Sequence, residues 1–244
     1  MAEREGRERA VRALIDLEPT TADPEDRVTG WLQRLCAAAV RALPASGAGV
    51  SVVDRHGVTE LTVASDPECE YLEELQFTLG EGPCVDALAG RRPVLEPDVA
   101  SAALARWPMY APAVLQRGVR AVFAFPLQVG AARLGVLDVY RRDPAGLDGA
   151  AMALALTFAD VTVSHLLDAQ AGADVGARQG ALDEMMSYRT ELYQAQGIVT
   201  VDLGISVDEA MVRLRAHAFA YERRLGDIAR DVVAGRLRLD NDAT

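Results

Sequence analysis

Apolar residues recur with helical phase from Arg27 to Leu43, through Val28, Trp31, Leu32, Leu35, Ala39 and Leu43, and Pro44 closes the run. Residues 49–54 and 58–64 read as two strands, with Arg55-His56-Gly57 between them suited to a hairpin turn. A helical stretch from Pro67 to about Gln76 precedes the turn Leu79-Gly80-Glu81-Gly82-Pro83-Cys84 and a short helix through Val85 and Leu88. Pro93 to Leu95 reads as a third short strand, residues 108–118 as a helix, and 120–129 and 131–140 as two strong strands. This order predicts an α+β fold, an antiparallel sheet flanked by helices.

From Leu147 the pattern changes to one long helix, with Met152, Leu156, Ala159, Val163 and Leu166 on one stripe and Leu154, Phe158, Val161 and Leu167 over much of the rest. Both faces call for burial, one against the sheet and one against a second copy of the chain, which implies a homodimer. Gly172, Gly176 and Gly180 then interrupt the pattern, each costing about 1 kcal/mol relative to Ala in a helix interior. They mark a domain boundary and a hinge.

Three short helices follow. Leu192, Ala195, Ile198 and Val199 phase the first, which ends near Asp202 to Gly204. Val207, Ala210, Met211, Leu214 and Ala218 phase the second, and Ser206 with Glu209 forms a capping box at its start. Leu225, Ile228, Ala229, Val232 and Val233 phase the third, with Gly235 as its C-cap.

The charge of −11 narrows the choice of partners. Before Arg178 there are 16 Arg against 25 acids, and from Arg178 onward 9 against 11, so the acidity sits in the larger N-terminal part. Such a surface argues against broad association with DNA or anionic membranes. The densely charged residues 1–12 lack the apolar core of a signal peptide, and no uninterrupted apolar stretch approaches a bilayer's ~18–20 residues, so a cytoplasmic chain is expected. Cys36, Cys69 and Cys84 have no zinc spacing, and with three His in the chain no metal site is expected; the thiols read as reduced and packed. No nucleophile, base and orienter are set together as catalysis needs, so the chain is expected not to be an enzyme.

Ala195-Gln196-Gly197, the Gly204-Ile205-Ser206 turn, Asp208-Glu209-Ala210, Leu214-Arg215, and Leu225 with Ala229 together resemble the ANTAR domain. The resemblance implies a three-helix RNA-binding unit that acts as a transcription antiterminator on hairpin leader RNA, usually as a dimer. The family usually has a lysine where this chain has Gln196. The residues expected to meet RNA are Ala195, Gln196 and Gly197, small or neutral positions that permit close approach, with Arg213, Arg215 and Arg224 on phosphates or loop bases. From Arg189 to Leu239 there are 8 Arg against 7 acids, so nonspecific electrostatic binding should be weak.

Upstream, the turn from Leu79 to Cys84, Arg91-Arg92-Pro93-Val94, Gly118-Val119-Arg120-Ala121, Phe125-Pro126-Leu127 and Leu134-Gly135-Val136-Leu137 resemble a GAF domain. GAF domains hold a small molecule between sheet and helices or serve as dimer scaffolds; which ligand this one would take is unknown, and no cofactor is evident. The turn from Gly80 to Cys84 could bring backbone N–H groups to an anion or simply cap the following helix, and Cys84 could be a redox sensor or a packed thiol.

The expected organisation is a charged segment 1–26, a GAF-like domain 27–168, a hinge 169–184, an ANTAR domain 185–239 and a tail 240–244. It describes a signal-responsive, RNA-binding transcription regulator. Two other readings are kept: a helical tail that docks on a partner protein, favoured by its near-neutral charge and Gln196, and a DNA-binding helix-turn-helix. Asp227 and Asp231 argue against the last, since on a recognition helix they would face phosphates.

Overall fold

A computed structural model describes residues 2–19, 27–53, 59–172, 180–221 and 223–239, and the chain divides into two compact units, 1–180 and 181–244.

The N-terminal unit runs α1 (Ala2–Asp16), α2 (Arg27–Ala42), β1 (Gly47–Val53), β2 (Thr59–Ala64), α3 (Pro67–Leu79), α4 (Pro83–Gly90), β3 (Val94–Glu96), α5 (Ala103–Arg106), α6 (Tyr110–Gln116), β4 (Ala121–Val129), β5 (Ala132–Arg141) and α7 (Gly149–Gly172). Its strands form one sheet in the order β2-β1-β5-β4-β3, antiparallel throughout. The turn expected at Arg55-His56-Gly57 lies outside the described residues.

Strand alternation divides the sheet's side chains between two environments. Ala48 and Val50 of β1, Phe123 and Phe125 of β4, and Leu137 and Val139 of β5 join Leu32 and Leu35 of α2 and Phe158 of α7 in an apolar core. Val11 and Ile15 of α1 belong to the same core, so the segment expected only to be charged contributes a packed helix. Charge dominates its composition, but two apolar residues one turn apart are enough to dock it. The opposite register of β1 and β5, Gly49, Ser51, Asp138 and Tyr140, lies under α3 and α4.

Helix α7 has Ala155, Phe158, Ala159, Val161 and Leu166 buried, while Leu156 and Leu167 remain 42% and 38% exposed. Residues 149–169 are long and apolar enough to cross a membrane by length and composition, with a mean hydropathy of 1.6. The stretch is not uninterrupted, since Thr157, Asp160, His165 and Asp168 fall within it. The buried side of the helix is part of the core just described.

The C-terminal unit comprises α8 (Gly180–Leu203), α9 (Val207–Ala220) and α10 (Leu225–Val233). Leu192, Ala195 and Val199 of α8, Ala210, Leu214 and Ala218 of α9, and Leu225, Ile228, Ala229 and Val232 of α10 are buried. The capping box is present: Ser206 Oγ accepts from Glu209 N–H, and Glu209 Oε2 accepts from Ser206 N–H at 2.9 Å. Val207, placed on the buried stripe by phase alone, is 56% exposed because it begins the helix at its open end.

Candidate functional site

The N-terminal unit buries a set of ionisable side chains beneath α3 and α4. Glu73 and Gln76, one turn apart on α3, point toward the sheet and are 2% and 1% exposed. Tyr140 Oη donates to Glu73 Oε1 at 2.7 Å and Ser51 Oγ donates to Glu73 Oε2 at 2.9 Å. Gln76 Nε2 donates to Asp138 Oδ2 at 3.0 Å, and Gln76 Oε1 accepts from the backbone N–H of Cys84 at 2.8 Å. One amide thereby joins α3, the start of α4 and the middle of β5.

Small residues make the room. Asp138 is paired with Gly49 on one side and Ala124 on the other. A Cβ at Gly49 would fall on the Glu73 carboxylate, and one at Gly82 on the Gln76 amide. Glu81 Oε1 accepts from the backbone N–H groups of Met109 and Tyr110, at 2.6 and 2.7 Å, which seats Tyr110. The Tyr110 ring packs edge-on to Trp107, with centroids 6.3 Å apart. The hydroxyl of Tyr110 and Oδ1 of Asp138 are buried without a hydrogen-bond partner.

The electrostatics follow from burial. Glu73 is pushed above the usual carboxylate range by desolvation, which the hydrogen bonds from Tyr140 and Ser51 only partly oppose. Desolvation also pushes Asp138 well up, and the neighbouring Glu73 charge adds to it. Burial, then the charges of Asp138 and Glu73, raise the Cys84 thiol well above its ordinary value. The neutral forms are favoured, and the raised thiol works against a free thiolate at Cys84.

In the C-terminal unit, a groove of about 520 Å³ is lined by Gln194, Gly197, Ile198, Val201, Asp202 and Val233. Val201, 80% exposed, forms part of its wall. Gly197 is exposed, and a Cβ there would meet nothing within 4 Å.

Residues 26–166 match the family model of the GAF domain, and residues 180–233 match that of the ANTAR domain. The chain belongs to the GAF family, with an ANTAR domain behind it. No curated protein matches it. Among solved structures it is similar to the GAF domain of a phosphoenolpyruvate-protein phosphotransferase from Coxiella burnetii, with 16% identity over 70% of this chain and 97% of that one, TM-score 0.49. The corresponding Acinetobacter domain has 12% identity over 71% and 98%, TM-score 0.49. A free methionine-R-sulfoxide reductase from Neisseria meningitidis, solved with its substrate, has 19% identity over 67% and 87%, TM-score 0.45. GAF and ANTAR domains are sensory and regulatory, and this GAF–ANTAR protein is a regulator of the ANTAR type.

The ANTAR residues singled out from sequence do not form one surface. Ala195 is 0% exposed and packs in the bundle interior. Gln196 is 7% exposed, and its Nε2 donates to the Val207 carbonyl at 2.8 Å, tying α8 to the start of α9. Neither offers a surface for close RNA approach, because the helical phase that exposes Gly197 turns its two predecessors inward. Arg213 and Arg215 lie half-buried on α9, and Arg224 is exposed at the N-cap of α10. Ion pairs within the unit join Asp231 to Arg223 at 2.6 Å and to Arg236 at 2.7 Å, and Asp227 to Arg230 at 2.9 Å.

In the GAF domain, sequence reasoning singled out the loop from Gly80 to Cys84 but missed Glu73, Gln76, Tyr110, Asp138 and Tyr140. Two signals were present. Glu73 and Gln76 share a helix phase with Cys69 and Leu72, and Asp138 interrupts the apolar run Leu134 to Tyr140. His165 has a packing role, stacking on Trp31 with centroids 3.8 Å apart.

Proposed function

We propose that this protein is a cytoplasmic, dimeric regulator whose GAF domain, 27–168, controls through the joint at 169–184 an ANTAR domain, 185–239, that binds hairpin leader RNA and acts as an antiterminator. The observation that carries the reading is Gly197. A glycine in a helix interior is unfavourable, and no packing contact within the domain calls for one there. Its exposed place in the groove suits close approach by another backbone. Arg213, Arg215 and Arg224 supply the cations that an RNA phosphate chain would meet.

The apolar wall formed by Ile198, Val201 and Val233 favours a second reading, a partner protein seated in the same groove. The two differ in salt dependence. Binding of the full-length chain to paired-hairpin leader RNAs, against an unstructured RNA control, tests the first. Gly197→Ala should stabilise α8 by about 0.5–1 kcal/mol in thermal unfolding and still weaken selective hairpin binding. Arg213→Ala with Arg215→Ala should lower affinity and reduce the slope of log K against log salt by about one unit for each phosphate no longer neutralised. No selective binding by the wild-type chain, or variants with unchanged affinity and slope, would transfer the groove to a protein partner.

A further inference from the structure

We propose that Cys84, Glu73 and Asp138 form a binding site for one divalent transition-metal ion of the zinc class inside the GAF domain. This proposal is independent of RNA binding. Sγ of Cys84 and a carboxylate oxygen from each acid all lie within 4.8 Å of one another. Atoms so close bracket a space of ionic size. A zinc ion bonds thiolate sulfur at ~2.3 Å and carboxylate oxygen at ~2.0–2.2 Å, so modest side-chain movement would bring all three to it.

Three further observations point to an ion. Asp138 has one oxygen fixed by Gln76 and the other, Oδ1, buried without a partner. The Tyr110 hydroxyl is likewise buried and unpartnered, while the pairs Tyr140–Glu73, Ser51–Glu73 and Gln76–Asp138 already orient the carboxylates. Such outer hydrogen bonds are what metal ligands commonly require. Finally, no cationic side chain among the described residues forms an ion pair with Glu73 or Asp138. Two buried acids without a counter-charge are costly unless protons or a cation neutralise them.

A thiolate with two carboxylates suits a borderline-soft ion better than Mg²⁺ or Ca²⁺, which prefer oxygen alone. On binding, the Cys84 S–H bond and the O–H bond of any protonated Glu73 or Asp138 carboxyl break, the protons pass to solvent, and the sulfur and one oxygen of each carboxylate bond the metal; no electron is transferred. The three ligands leave a fourth position, toward which the Tyr110 hydroxyl or a water could turn.

The test uses the full-length chain, stripped with a chelator, dialysed and titrated with Co²⁺ and then Zn²⁺. One Co²⁺ per chain should bind with a near-ultraviolet thiolate-to-cobalt charge-transfer band, and Zn²⁺ should abolish the band by displacement. Cys84→Ser should remove the band. Asp138→Asn should keep it and weaken binding at least tenfold, with near-ultraviolet circular dichroism of Trp107 reporting that the domain is folded; Glu73→Gln replaces it if Asp138→Asn unfolds. A wild-type chain without the band, a band that persists in Cys84→Ser, or an affinity within threefold of wild type in the folded carboxamide variant would overturn the assignment.

Discussion

A single carboxylate holds the start of the helix that carries Glu73 and Gln76. Asp66 is the N-cap of α3: its Oδ1 accepts from the backbone N–H groups of Glu68 and Cys69, both at 3.0 Å, and Ser65 Oγ donates to Oδ2 at 2.7 Å. Burial alone would raise this carboxyl, but the hydrogen bonds outweigh it and hold the group below the usual range. A depressed folded value contributes stability above the unfolded pKa and loses it as pH falls through the folded one. Asp66→Ala should therefore cost about 1 kcal/mol at neutral pH, with the gap to wild type closing under acid conditions. Tryptophan fluorescence reads this in the intact chain, because Trp31 and Trp107 both lie in the N-terminal unit. A gap that stayed constant on acidification would remove the carboxylate from this role.

At the scale of elements, β5 has least tolerance for change. Gly135 pairs with Val52 of β1 and Leu127 of β4, at φ 157°, and a Cβ there would fall on the Ser51 carbonyl oxygen. Gly135→Ala would force two strand backbones apart and should lower stability by more than about 4 kcal/mol, enough to unfold a marginal domain. Native-like circular dichroism and an unchanged melting temperature would count against that role. The elements around it were legible where period and punctuation agreed: β4 and β5 from their alternation, α9 from Ser206 and Glu209, and the end of α8 from Gly204, whose φ is 65°. Helices α1 and α5 were not. The first has two buried apolar residues amid charges, and the second is a four-residue helix, too short to establish a period. The buried cluster was hidden for a different reason. Asp138 lies 62 residues beyond Gln76 in sequence, and it meets Glu73, Gln76 and Cys84 only when antiparallel pairing sets it beside Gly49 and α3 closes over both.

At the scale of the molecule, the outward stripe of α7 bears on the proposed dimer. Leu156 and Leu167, eleven residues and three turns apart, share one face and are both substantially exposed. If a second copy covers them, Leu156→Glu with Leu167→Glu would place charges in an apolar interface and weaken association at least about tenfold. Sedimentation velocity over a micromolar concentration series would show the variant as a monomer where wild type is a dimer. Two identical monomeric profiles would remove α7 as the interface. The same helix lies against a sheet only one backbone thick. Along β5, Leu137 and Val139 belong to the oily compartment with α7, while Asp138 and Tyr140 belong to the polar one under α3. Closely packed interiors transmit displacement and do not absorb it. A change of charge around Asp138 would consequently press on the helix layer through the thickness of the sheet, across a span on the order of 10 Å, making the shortest mechanical route from chamber to helix perpendicular to the strands.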